Sequence, residues 1–557
     1  MLIALVLESA AYACGGFFCN QTPVDQSAER IVFAVDETTS TVETHVQIFY
    51  TGVAAEFAWV VPVAQIPEIF VSTDTLFDNL ALYTAPTFQT DIVYEGECQG
   101  YYPYWLDYAG SYSSSASADT GSAGESVEVI ATQQVGPYET VTLKAETETG
   151  LIAWLQDNGY DLPDDLTPLL APYVAGDAYF VALRLANGFD SGDIAPLGLR
   201  YTGARASIPI QLTSIAATPD MRLEVYVLGR NRAVPDNYLH VVINEALIDW
   251  TTGGSNYDAV VTAAADQAGG QAFATDMSGP AADWRWVVPE PGDVSGLAAV
   301  VNPINWLDGA IEVGVPANDA MLAVLRTYIP MPDDLVADGL SETNFYNCLS
   351  CYSDSLGGQA FDPVAATAAL EELVTDPLHH ALGLFDTHAQ LTRLNSSVSP
   401  VEMTVDPIFV FNSVMPDEDG LWLATLVYEC PTGEDYEDAL RRVELPDGRI
   451  LVLPSIQWLA DSGVTVAEWL AASGMLPAAR IEDTSEDAEA IVLYDVLASG
   501  TDTTLETLNT GTREDVLEPG IEATASCACT TDPSSTGALW VGLAAFVASN
   551  RRTRRAG

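Results

Sequence analysis

The chain has 557 residues, 48% of them hydrophobic, with 11 Trp, 23 Tyr and 17 Phe: enough apolar side chain for a sizeable core, and too much for a largely disordered polymer. Against 78 acidic residues stand 20 basic ones, only one of them a lysine, for a net charge of −58. A surface of that sign repels phosphate backbones and anionic headgroups, which excludes nucleic acid as a partner.

The first residues, "MLIALVLESAAYAC", set an apolar run, Leu2–Leu7, before Ala11 and Ala13. Small residues three and one places before Cys14 suit signal peptidase, so 1–13 read as an export signal. No Lys or Arg precedes the run and Glu8 interrupts it, the pattern of a signal truncated at its start. Next, "ERIVFAVD" and "TVETHVQIFYTG" alternate apolar and polar residues and predict strands. "TLFDNLALY" carries Leu76, Leu80 and Tyr83 at helical spacing behind an Asp74 cap. Residues 14–111 thus form a β-rich N-terminal unit, closed by the Ser/Gly-rich tract Tyr112–Ser126.

The main body spans 127–499, with a division into two domains near 330–365 left open. It begins with the helical "ETGLIAWLQDNG", followed by strands at "AYFVALRLA", "ASIPIQLTSIAA", "MRLEVYVLG" and "YLHVVIN". Helices follow at Tyr257–Ala268, Val364–Leu373 and Pro377–Leu384, then a strand at "LWLATLVYEC" and a helix at "VTVAEWLAASG". Strands and helices mix without regular βαβ alternation, which predicts an α+β fold of mainly antiparallel sheet in more than one domain. "FAWVVPV" recurs as "WRWVVPE" and "AWLQDNGYDLP" as "EWLAASGMLP", echoes short enough to arise by chance.

Residues 500–526, rich in Thr and acid, read as a flexible stalk. Residues 527–557 carry Cys527-Ala528-Cys529, an apolar run from Ala538 to Ala548 about half a bilayer long, and Arg551, Arg552, Arg554 and Arg555. That order resembles the myxobacterial C-terminal sorting signal (MYXO-CTERM). The resemblance implies a sorting protease as partner, cleavage near the Cys motif and anchoring at the cell surface. Over the body, "ACGGFFC", "PVDQSAERIVFAVD", "FAWVVPV", "VGPYETVTL", "LLAPYVAGDAYFVALRL", "VPDNYLHVVINEALIDW" and "SPVEMTVDPIF" resemble the bacterial family catalogued as domain of unknown function 2330, from about Cys14 to about Pro416. This implies an exported envelope protein and carries with it no reaction, ligand or catalytic residue.

Few residues stand out as chemistry. Lys144, in "VTLKAET", leaves no phosphate loop, and G-x-G-x-x-G, G-x-S-x-G and H-E-x-x-H do not occur. Six cysteines of the exported body, Cys14, Cys19, Cys98, Cys348, Cys351 and Cys430, fit three disulfides in an oxidising compartment. Spacing suggests Cys14–Cys19, Cys348–Cys351 and Cys98–Cys430. "CLSC" also has the spacing of a thiol oxidoreductase, but turn-forming residues flank it. His379, His380 and His388 form the one histidine cluster; His380 and His388, two helical turns apart with Asp386 nearby, are the candidate zinc ligands. His240 reads as a buried, hydrogen-bonded strand residue. Calcium could use the acidic turns Asp190–Asp193 and Pro416–Gly420, although no complete D-x-D-x-D-G loop occurs. The reading that follows is a surface-anchored protein that binds or scaffolds without catalysis and requires no cofactor. A zinc hydrolase built on the histidine cluster and a calcium-stabilised adhesion module are the alternatives.

Overall fold

The structure, a computed structural model, describes residues 26–48, 58–96 and 128–496, except 161, 163–165, 186–194, 204, 216, 338, 357–359 and 431–435. The export signal, Cys14, Cys19, Cys98, the turn Asp190–Asp193, the stalk and the sorting tail all lie outside the described residues.

A ten-stranded sheet runs through the molecule. Its spatial order is β21 (Ile491–Asp495), β20 (Ala478–Asp483), β13 (Leu239–Ile243), β14 (Ala272–Pro280), β15 (Gln390–Val398), β11 (Ala217–Gly229), β1 (Gln26–Asp36), β2 (Thr41–Ile48), β9 (Leu197–Thr202) and β4 (Glu68–Val71). Neighbours are antiparallel except the pairs β1/β11 and β13/β14. A second, antiparallel sheet holds β3 (Ala58–Val63), β8 (Tyr179–Leu185), β7 (Tyr138–Lys144) and β6 (Glu128–Val135). A third orders β19 (Ile450–Leu453), β18 (Leu440–Glu444), β17 (Leu421–Cys430) and β5 (Thr87–Gly96). The smallest has β10 (Ala206–Ser207), β16 (Ile408–Asn412) and β12 (Arg232–Pro235). Mixed sheets with interspersed helices make this an α+β protein.

The period-2 rule explains the layering. In β1, Ile31, Phe33 and Val35 enter a core shared with Trp59, Val61, Phe409 and Phe411 of the smaller sheets. Val32 and Ala34, on the opposite face, enter a core filled by Trp306, Phe345 and Phe385 from the helical stretch 281–387. The central sheet is therefore covered on both sides, which is why "IVFAV" is a continuous apolar run. A third core lies where the helix Tyr257–Gln267 and the β19–β5 sheet meet β13 and β14. A fourth packs the helices Glu148–Asp157 and Thr167–Ala175 on β7 and β8.

Several local expectations change in this setting. The Ser/Gly tract lies outside the described residues, yet strands from both sides of it share one sheet: β1 pairs with β11 over Ala28–Ala34. The stretch 330–365 lies within the helical layer, with Phe345, Leu349 and Leu356 in its core. "ASIPIQLTSIAA" is not one strand but β10 followed by the short helix Ile210–Thr213. Pro209, without an N–H, cannot continue the ladder. The echo "WRWVV" is part of a 3-10 helix, Ala281–Val287, whereas "AWVVPV" is β3. Like local sequences have taken different structures because their tertiary surroundings differ. Asp74 is not a cap: Thr73 holds that position, and the Asp74 carboxylate instead accepts from Gln47 Nε2 at 2.7 Å.

Cys348 and Cys351 are joined as a disulfide at the end of the helix Glu342–Asn347, running into a 3-10 turn. The flanks expected as turns are helical on both sides: Cys348 caps the 3-10 helix Leu349–Tyr352, which runs on into the helix Ser353–Leu356, so the bridged pair opens one helical segment as it ends another. Cys430, at the end of β17 opposite Gly96 of β5, is disulfide-bonded as well. Among the described residues, no helix is long and apolar enough to cross a membrane.

Candidate functional site

Strand β2 alternates between two environments. Val42 and Val46 belong to the core under the smaller sheets, and Thr44 joins them there, bonded to Tyr201 Oη at 3.2 Å. The intervening Glu43, His45 and Gln47 face the helical layer and are buried all the same. Register then assembles two rows across β2, β9 and β4. Glu43 stands opposite Arg200, which stands opposite Glu68; His45 stands opposite Gly198, which stands opposite Phe70.

The first row is charged. Arg200 Nε donates to Glu43 Oε2 at 2.8 Å and its Nη1 to Glu68 Oε2 at 2.6 Å. The second row is shaped by a missing side chain. A Cβ on Gly198 would fall 2.2 Å from the Phe70 ring, so only glycine lets that ring fold across β9. Phe70 thereby meets His45 edge-on, at 5.5 Å between ring centroids.

His380 completes the group from the helix Asp376–Thr387. That helix continues the helical run that opens at Pro363, so its start at Asp376 and Pro377 is not a free N-terminus. It buries Leu378, Ala381, Leu382 and Phe385 at helical spacing. A π-helical turn, Glu371–Thr375, immediately precedes it. Pro377 has no N–H to return to the Leu373 carbonyl, and the wider turn takes up the defect. The extra residue rotates the following face by about 100°. With the face so set, His380 points at β2 and packs against Phe70 with the rings tilted by 38° and centroids 4.8 Å apart.

Both histidines present Nε2 to the same oxygen, Glu43 Oε1: His45 at 2.9 Å, and His380 in a closer hydrogen bond. His45 Nδ1 is held by Ser72 Oγ at 2.7 Å. Burial alone would raise the Glu43 carboxyl, but the hydrogen bonds from His380 and His45 outweigh it and hold it far below the usual carboxylate range. Burial pushes His45 down from its ordinary value, against the pull of Glu43, and keeps the ring neutral. Glu43, His45 and His380 offer one ligand atom each, all within 4.8 Å of one another. They are the one such group of histidines, cysteines and carboxylates among the described residues.

The cluster lies in the wall between two hollows. The larger, about 720 Å³, runs from Glu43, Arg200 and His380 past Gly383 to Asp36 and Thr38. The smaller, about 390 Å³, lies on the far side among Glu68, Phe70, Glu372 and Asp376. Its deep members are closed off, with the His45 side chain 1% exposed, whereas His380 is 29% exposed and reaches the hollows.

Of the expected zinc ligands, only His380 belongs here. Asp386 is paired with Arg285 Nε at 2.8 Å. His388 follows the helix in extended backbone, so the two-turn spacing from His380 does not hold, and its Nδ1 bonds the Leu384 carbonyl at 2.9 Å. His379 contacts the Pro291 carbonyl at 3.0 Å. His240 is buried between Glu482, 2.9 Å from Nδ1, and Thr275, 3.0 Å from Nε2. In Pro416–Gly420, Asp417 accepts from Gln390, Glu418 pairs with Arg232 and Asp419 accepts from the Leu421 N–H, so all three carboxylates serve the chain itself. Sequence reading missed Glu43, His45, Arg200 and Phe70. Their one local signal is Glu-x-His on an alternating strand, which reads equally well as a solvated face.

Compared with known proteins, residues 8–287 match the family described as "Uncharacterized protein conserved in bacteria (DUF2330)". No curated protein and no solved structure matches the chain.

Proposed function

Since the chain belongs to this bacterial DUF2330 family, we propose that it is an exported, surface-anchored envelope protein that binds a ligand in the larger hollow and does not transform it. The observation that carries the binding reading is the cluster in the wall of that hollow. Glu43 is ionised but fully engaged by His45, His380 and Arg200, so it holds charge and shape and is not a free base. The nearby hydroxyls are engaged as well: Thr38 and Thr39 bond Asp36, and Thr387 bonds the Gly383 carbonyl. No activated nucleophile faces the hollow among these groups. With Asp36, Glu37 and Glu43 set against Arg200 and Arg230 in its lining and −58 over the chain, the balance of fixed charge is negative and favours a cation.

Export is supported by the N-terminal pattern and by the bridged state of Cys348, Cys351 and Cys430, which belongs to an oxidising compartment. The order of Cys527, Cys529, the apolar run and the arginines supports anchoring after processing. Mass spectrometry of native protein from cell envelopes tests both parts. The expected mature chain starts at Cys14 and ends near Cys527–Cys529. It carries a non-covalent adduct that a Gly383→Trp variant, with the hollow filled, lacks. An intact Met1–Gly557 chain in the cytosol with free thiols would overturn the envelope reading; equal masses for the two proteins would overturn the hollow as the binding site.

A further inference from the structure

We infer that Glu43, His45 and His380 form a binding site for a divalent transition metal, zinc foremost, with Ser72 and Arg200 as positioning residues. The inference rests on the proposed role of the larger hollow only for access, and it is independent of export. Its first support is convergence. Two imidazoles aim the same nitrogen at one carboxylate oxygen, and the three ligand atoms lie within 4.8 Å of one another. Bonds of about 2.0–2.1 Å at tetrahedral angles place zinc ligand atoms about 3.3 Å apart, a spacing that small side-chain movements reach from here.

The second support is the outer shell. A ligating histidine needs its other nitrogen fixed, and His45 Nδ1 lies 2.7 Å from Ser72 Oγ. In the metal-bound form Nδ1–H donates to Ser72 and the Nε2 lone pair faces the ion. A ligating carboxylate needs its second oxygen held, and Arg200 Nε does this for Glu43 Oε2 at 2.8 Å. Phe70, packed on both rings, excludes water from one side. The donor set, two imidazoles and a carboxylate, suits zinc and its neighbours and disfavours calcium, which takes six or more oxygens. His380, the exposed member, leaves the remaining coordination position directed at the hollows.

Arg200 is the competing consideration. Its Nη2 lies 3.3 Å from His380 Nε2, and a positive charge so close weakens cation binding. Glu68 and Glu43 both pair with that guanidinium and offset its charge. Without a metal, the same groups would form only a closed ion network that ties helix to sheet.

Titration of untagged, chelator-stripped full-length protein with Zn²⁺, and with Co²⁺ as a spectroscopic probe, distinguishes the two. The expected result is one ion per chain and visible ligand-field bands of low-coordinate Co²⁺. His380→Ala should weaken binding at least 100-fold, and Ser72→Ala by 10–100-fold as the loss of an outer-shell partner. His388→Ala should leave binding unchanged. Circular dichroism melts verify that each variant is folded, and His380→Ala, at the exposed position, is the variant least exposed to misfolding. Failure of the folded wild-type chain to bind either ion, or binding that survives both His380→Ala and His45→Ala, would overturn the site. A native adduct lost in Gly383→Trp would then still support the hollow, with a different ligand.

Discussion

At the scale of single residues, the cluster depends on what is absent as much as on what is present. Gly198 leaves room for Phe70, and Phe70 in turn fixes both imidazoles. Gly198→Val should therefore displace the ring at a cost of about 1–3 kcal/mol, read as a lower denaturation midpoint. The same displacement should perturb the His45 and His380 side-chain signals in NMR spectra. Thr367 offers a purer hydrogen-bond test. Its Oγ1 accepts from Trp306 Nε1 at 2.9 Å in the helical-layer core. Thr367→Val keeps the shape but strands a buried donor, and chemical denaturation should show a loss of about 1–3 kcal/mol. Neither Gly198 nor Thr367 announces itself in the sequence, because each role depends on a neighbour more than 60 positions away.

Among elements, the junction of helix and sheet is the feature of most consequence. Arg393 of β15 is 2% exposed, pairs with the fully buried Asp276 of β14 at 2.9 Å, and donates to the Ala81 carbonyl at 3.0 Å. That carbonyl lies in the last turn of the helix Asp74–Tyr83, where a cation is favoured. Arg393→Met should cost about 3–5 kcal/mol, because Asp276 is left buried without its partner. Asp276→Asn/Arg393→Met together should recover part of that loss in a double-mutant cycle. The helix extents were readable from periodicity: Pro377–Leu384 lies within Asp376–Thr387, and Tyr257–Ala268 corresponds to Tyr257–Gln267. The π turn at Glu371–Thr375 was not, since Val364–Leu373 reads as an uninterrupted helix whose defect arises only where Pro377 joins a second one.

For the whole molecule, charge and pH set the conditions of stability. A net charge of −58 implies strong self-repulsion that salt screens, so the denaturation midpoint should rise with added NaCl; a flat response would count against it. Asp406 supplies a pH test. Burial raises its carboxyl to about 6, despite hydrogen bonds from the Gln211 backbone and Tyr173. Between the unfolded value, near 3.9, and about 6 the native state binds more protons than the unfolded one, so this group adds stability as pH falls from 7 toward 4. Asp406→Asn should remove that gain, on the order of 2–3 kcal/mol, from the pH dependence of unfolding. Glu43 acts in the opposite sense: its lowered carboxyl contributes stability above the ordinary glutamate value, and that contribution is lost as pH falls below it.

The α+β class, the strands β1, β2, β8, β11, β13 and β17, and the family follow from the sequence by itself, because alternation, helical spacing and long motifs are local properties that survive without knowledge of neighbours. The buried histidine at 240 follows too, since an apolar strand dictates its surroundings. The cluster at Glu43, His45 and His380 does not. Two of its members lie on a strand whose polar face looks solvated until a helix more than 300 residues away covers it. The third is turned toward them by a π turn that no periodicity foretells. Register across β2, β9 and β4 adds Arg200 and Phe70, and register is a property of paired strands. Tertiary structure alone decides which polar groups share one buried point.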